Sequence, residues 1–425
     1  MWWERPILLL LLLPLLLVEV SATYGQAKDG VLPTTKTASR IEELRTKGSE
    51  ALFNLDYEIA RQRFKEITRL YPDDPIGPQM LATTLWLESL NRARRLQASI
   101  YSTQSFYSKT EDKPDPRLTQ DFSVLTREAT RLATIRLRLN PRDPQTLYVL
   151  GAIESLKASF AATVERRFIA ALRNGSRGVE RHREVIKLDP TFRDAELTIG
   201  MYDVIVGTLP LPAKILAGIA GVRGSKKRGI DTLERVTKDG HWMRDDARVL
   251  LIAIYKRERQ LSKALALSRE LHQKYPRNYL LGLETADTLV SLAALGRQER
   301  RTKEAETLER EALDTFEKLL LERAGAEAGA RALDLIHIRY GEALLLMDQP
   351  ARAAEQFLAA TAVRQADAGL VSRAHLLAAQ TFDVAGKRNE ALDQYRKVLS
   401  RPNVYDSHEQ ARRGLKKPYK EWSPK

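Results

Sequence analysis

The sequence predicts an all-α protein built as a solenoid of about eight helical hairpins and closed by a capping C-terminal helix. Three observations carry this expectation. Ala, Leu, Arg and Glu dominate a chain of 425 residues that is 43% hydrophobic and 7% aromatic, the usage of long helices rather than of sheets. A small residue, a bulky one four positions later and Pro twelve positions later recur along the chain. The 69 basic and 55 acidic residues are interleaved, so the formal charge of +14 describes solvated helix faces rather than a nucleic-acid stripe.

The chain opens on Arg5, an apolar run from Ile7 to Val18 and the small-residue site Val20-Ser21-Ala22. Such a run is too short for a membrane span, which needs about 20 residues, and suits a signal peptide over 1–22; the alternative is an uncleaved anchor, helped by Trp2 and Trp3. Residues 23–40 are polar and aperiodic and read as a flexible leader, and 417–425 read as a basic tail. With 0 cysteines, disulfides, thiolate metal sites and cysteine nucleophiles are excluded. An exported, periplasmic or cell-envelope protein of a bacterium is the expectation.

The repeat occupies 41–416. Ala60, Phe64 and Pro72 fit the full spacing. Ala129 with Pro141, Gly178 with Pro190, and Ala264 with Pro276 share its twelve-residue part, while Ala353-Phe357-Ala360 and Ala391-Tyr395-Val398 keep its first part. Gly48, Gly341 and Ala379 stand twelve positions upstream of Ala60, Ala353 and Ala391. Two helices per unit explain this pattern: small residues let backbones approach, a bulky residue one turn on fills the gap, and Pro stops the second helix. The hairpins are expected at 41–72, 77–141, 144–190, 193–238, 245–276, 279–323, 330–365 and 369–402, followed by a cap from Ser407 to Leu415. Asp56-Tyr57, Asp348-Gln349-Pro350 and Ala385-Gly386-Lys387 supply turns. The units at 77–141 and 279–323 are irregular. The second unit carries a spacer from Ser105 to Pro116, the third an unusually long first helix from Gln145 to Ala171, and the fourth an apolar insert at 207–226.

These spacings resemble the tetratricopeptide repeat. The resemblance implies a right-handed superhelix whose first helices line a concave, partner-binding face. Leu172 to Pro190, Gly200-Met201-Tyr202 and Gly207-Thr208-Leu209-Pro210 are similar to exported bacterial tetratricopeptide proteins of unassigned role. Gly200 to Gly229 is similar to the eukaryotic inclusion-body-clearance family of tetratricopeptide proteins.

Catalytic and cofactor chemistry finds no motif. The six histidines are scattered with no metal-ligand pairing. Gly218, Gly221 and Gly224 before Ser225-Lys226 fail the phosphate-loop spacing, and no nucleophile elbow exists. Arg45 and Ser49 stand where a carboxylate-clamp tetratricopeptide protein has Lys and Asn, so that function does not carry over. No cofactor, metal or nucleic acid is expected. Register nominates Tyr148, Ala152, Leu197, Met201, Val249, Ala253, Lys256, Glu342 and Gln380 for the first-helix face. The insert, Leu209 to Val222, is apolar on all sides and is expected to be buried or attached. Leu209 and Ile215, with Arg223, Lys226 and Lys227 beside them, are its candidate contacts. The expected function is a non-enzymatic scaffold holding a protein or peptide partner; the alternative is a protein of lipid or membrane surfaces that uses the insert and its basic neighbours.

Overall fold

A computed structural model describes residues 35–96, 114–209, 211, 214–215, 223–324, 332–404 and 406–420. The expected signal peptide, the leader as far as residue 34, the spacer residues 105–113 and most of the insert lie outside these. Among the described residues there is no strand, and the helices run in eight successive pairs followed by a single one. The pairs are α1 (Thr35–Phe53) with α2 (Tyr57–Leu70), α3 (Ile76–Arg92) with α4 (Pro116–Leu139), α5 (Pro144–Thr163) with α6 (Phe168–Leu188), and α7 (Glu196–Gly207) with α8 (Lys226–Asp239). Then follow α9 (Arg244–Arg257) and α10 (Leu261–Lys274), α11 (Tyr279–Gln298) and α12 (Thr302–Ala324), α13 (Leu333–Leu346) and α14 (Pro350–Ala362), α15 (Ala368–Val384) and α16 (Arg388–Leu399), and the cap α17 (Ser407–Lys416). The chain forms two compact units, one holding α1 to α8 and α9 as far as Ile254, the other running from Tyr255 to α17.

The spacing means what the sequence suggested. Ala60, Ala129, Ala264, Ala353 and Ala391 are all 0% exposed, and Phe64 and Phe357 likewise. A Cβ on Gly341 would come within 2.5 Å of the Phe357 ring, and one on Gly48 would strike the Phe64 ring in the same way. Only hydrogen fits there, so the ring can seat directly on the opposing backbone. Gly414 of the cap meets the Tyr395 ring by the same device. The fourth unit closes through two glycines: a Cβ on Gly229 would lie 2.6 Å from Gly200 O, so the hairpin register survives the insert between them. Pro72, Pro141, Pro190 and Pro276 each follow a second helix, beyond Leu70, Leu139, Leu188 and Lys274.

Three expectations need correction. The first helix starts at Thr35, ahead of Ile41, and Arg40 ties it to Glu66 of α2 at 2.8 Å. The third unit has no long first helix to Ala171: α5 ends at Thr163, and Arg166 turns left-handed at φ 58°. Glu165 and Arg167 N–H then donate to Phe160 O and Ala161 O at 3.2 and 2.7 Å, closing the helix end without Gly or Pro. The described apolar residues of the insert are not buried, since Leu211 is 71% and Ile215 56% exposed.

Consecutive pairs are gripped by aspartates. Asp194, ahead of α7, accepts from the N–H groups of His241, Trp242 and Met243 at 2.9 to 3.0 Å with one carboxylate oxygen. Asp334 in the first turn of α13 accepts from Asp367 N–H at 2.9 Å, just before α15. Each carboxylate satisfies backbone donors of the connection that leads into the next pair.

Candidate functional site

In the second unit the first helices carry a continuous row of charges. Glu284 and Asp287 stand three apart on α11, Arg339 and Glu342 three apart on α13, so each couple shares a helix face. Lys256 reaches Glu284 Oε2 at 2.6 Å. Arg339 bonds Asp287 on one side and Glu342 Oε2 at 3.0 Å on the other. Arg373 of α15 completes the row on Glu342 Oε1 at 2.5 Å. Three cations and three carboxylates thus mix across four helices, each partly withdrawn from water.

Their titration follows from that setting. Burial opposes the charge on Glu284 and Glu342, but Lys256, and Arg373 with Arg339, outweigh it and hold both carboxyls below their ordinary range. At Asp287 burial wins over Arg339 and Lys256, and the carboxyl is pushed up. Burial likewise works against the charge of Arg339, yet Asp287 and Glu342 raise it above its already high ordinary value. His337 Nδ1 lies 2.7 Å from Gln356 Oε1 and His375 Nδ1 lies 2.8 Å from Gln394 Oε1, the same pairing in consecutive hairpins.

The sequence-nominated residues divide sharply. Lys256 and Glu342 are members of the row. Gln380 lies in the same unit but is 8% exposed. In the first unit Tyr148 and Leu197 are 1% exposed, Ala152 0% and Met201 8%, so these are packing residues rather than lining. Tyr148 stacks on His182, with ring centroids 4.9 Å apart, and meets Phe192 at a tilt, 4.8 Å away. Val249 and Ala253 are half-buried. Leu209 and Lys226 are partly exposed, and Ile215, Arg223 and Lys227 exposed, without being drawn into the charged row. Arg45 and Ser49 are buried, the Arg45 guanidinium lying 4.7 Å over the Trp242 ring. Glu284, Asp287, Arg339 and Arg373 lie outside the sequence nominations; three-residue spacing puts Glu284 with Asp287, and Arg339 with Glu342, on one helix face but does not say which helices meet.

Elsewhere, α5 and α6 border a cleft of about 350 Å³ lined by Leu150, Glu154, Arg177, Glu180, Arg181 and Glu184. No cluster able to hold a metal ion is found among the described residues, and no described helix is long and apolar enough to cross a membrane.

No protein-family model matches the chain, and no curated protein is similar to it in sequence. Among solved structures it is similar to the human IFIT1 dimer with PPP-AAAA, at 12% identity over 90% of this chain and 84% of that one, with a TM-score of 0.44. A tetratricopeptide repeat protein from Parabacteroides merdae is 13% identical over 80% of this chain and 99% of that one, with a TM-score of 0.32. Yeast Tom70 is 12% identical over 89% of this chain and 95% of that one, also at 0.32. The chain's own geometry, with Gly48 under Phe64, Gly341 under Phe357 and Gly414 under Tyr395, is that of an all-α repeat of helical pairs.

Proposed function

We propose that this chain is an exported, non-enzymatic scaffold that holds a protein or peptide partner against the first helices of its second unit. One observation supports this above the others: the charged row from Lys256 to Arg373 offers donors and acceptors already fixed by one another. A partner meeting such a surface loses less side-chain freedom on binding than it would on a loose one. Mixed sign along the row favours a segment that carries both charges, or a peptide backbone, over a uniformly charged polymer. The exposed Leu346 and Val384, one turn beyond Glu342 and Gln380, add aliphatic contact to its border. The insert, with Leu211 and Ile215 outward, acts as a separate contact of the first unit.

A photoreactive amino acid placed at Leu346 or Val384, and for comparison at the exposed Arg396 of α16, tests the assignment in the native cell envelope. Adducts to one partner from the first two positions are expected. Adducts from Arg396 alone would place the working surface on the second helices and refute it. Export is tested separately by sequencing the mature N-terminus, which should follow Ala22.

A further inference from the structure

The cap presents a surface of different chemistry. From Arg412 to Lys420 the chain reads Arg-Arg-Gly-Leu-Lys-Lys-Pro-Tyr-Lys, five cations without a carboxylate, and all five are exposed. Arg413 pairs with Glu409, whereas Arg412, Lys416, Lys417 and Lys420 have no carboxylate at ion-pair distance among the described residues.

The ordinary use of cations in a last helical turn is to offset the negative end of the helix dipole. Here that end is met from another helix. Arg388 Nη2 donates to Gly414 O at 2.8 Å and to Leu415 O at 3.0 Å, while Lys417 N–H donates to Arg413 O at 2.9 Å. The segment beyond the helix is also held in place. Tyr419 N–H donates to Asp383 Oδ2 at 2.9 Å, and the fully enclosed Asp383 carboxylate also grips Arg388 and the Tyr395 hydroxyl. The four lysine and arginine side chains are therefore surplus to the helix, unpaired, and mounted on a fixed support.

We infer that this cap docks on an anionic lipid surface. The row is cationic and fixed, and its apolar neighbours Leu415 and Tyr419 are partly buried. Among the described residues that leaves little open apolar surface to anchor a peptide or to stack a base. What it offers is attraction that tolerates lateral sliding, which suits a plane of headgroups. This surface is independent of the charged row on the first helices, and either can fail alone.

The test uses the full chain and its Arg412→Gln/Lys416→Gln/Lys417→Gln/Lys420→Gln variant, co-sedimented with vesicles of phosphatidylcholine alone or mixed with phosphatidylglycerol. Each cation near an anionic bilayer contributes about fivefold in partitioning, so the variant should lose two to three orders of magnitude on the mixed vesicles. On neutral vesicles the two proteins should partition alike, which cancels any contribution of the N-terminal apolar run. Exchanging the same positions conservatively (Arg412→Lys and the three lysines to Arg) should restore binding and guards against a folding defect. Equal partitioning of wild type and neutralised variant on the mixed vesicles overturns the inference. So does retention by polyglutamate or RNA with no preference for phosphatidylglycerol, which would assign the cap to an acidic macromolecule.

Discussion

Removing Arg339 isolates the energetic content of the charged row. Arg339→Met takes away the guanidinium bonded to Asp287, while Glu342 keeps Arg373. Asp287 has 14% of its side chain exposed, and burial already pushes its carboxyl above the ordinary range with the cation present. Stranding a buried charge by deleting its partner costs about 3–5 kcal/mol, and residual solvent access lowers this to about 2–3 kcal/mol. The deficit should shrink on acidification, because a carboxyl raised in the folded state binds protons more readily there than when unfolded. Replacing both groups, Asp287→Leu with Arg339→Met, should return stability to within about 1 kcal/mol of wild type, since no orphaned charge remains. Urea unfolding followed by helicity measures all three proteins. A single variant costing under about 0.5 kcal/mol would show the row to be solvent-screened like an ordinary surface pair. A double variant as weak as the single one would put the loss in packing rather than in charge.

Three further outcomes are expected. Burial holds His182 at about 4 against an ordinary 6.5, and its neutral ring sits 3.1 Å from Tyr148 O. Its folded pKa is the lower one, so stability is complete above the unfolded pKa and falls by about 3 kcal/mol as pH drops through the window; His182→Leu should lack that acid slope in melting experiments. Gly341→Val should lower stability by about 1–3 kcal/mol or more, because its Cβ would overlap Phe357, and an unchanged melting temperature would contradict the close approach. Arg300→Gly should raise stability by about 0.5–1 kcal/mol in urea titration, since an exposed arginine there holds φ at 62°, a conformation that costs other residues about 1–2 kcal/mol.

What could be seen in the sequence and what could not divide along the range of the forces involved. The seating of Phe64 on Gly48 or Phe357 on Gly341 is set within one hairpin, so spacing along the chain reveals it. Turns were less visible. Leu55, Arg166, Arg259, Arg300 and Asp348 all take the left-handed conformation that glycine marks, and among the described residues Gly386 alone announces it by residue type. That is why the sequence from Gln145 to Ala171 looks like continuous helix although α5 ends at Thr163. The charged row was hidden for another reason: Asp287 and Arg339 are brought together by the packing of α11 against α13, which no local pattern encodes. Tyr148 and Leu197 show the converse error, since helical register says which face a residue takes but not how completely its neighbours cover it.

The aspartate grips have a mechanical consequence. Asp194 and Asp334 hold the following pair by its main-chain N–H groups, so the joint does not depend on which side chains the connecting loop carries. Loops between hairpins can therefore drift in sequence without loosening the array. Joints of this kind also lie in series. When each hairpin contacts chiefly its neighbours, tension on the chain is borne by every joint at once and relieved at whichever is weakest. Extension should then proceed in discrete steps of one hairpin, with the untouched pairs still folded, so a load on the protein would be converted into length before it destroyed the rest of the array.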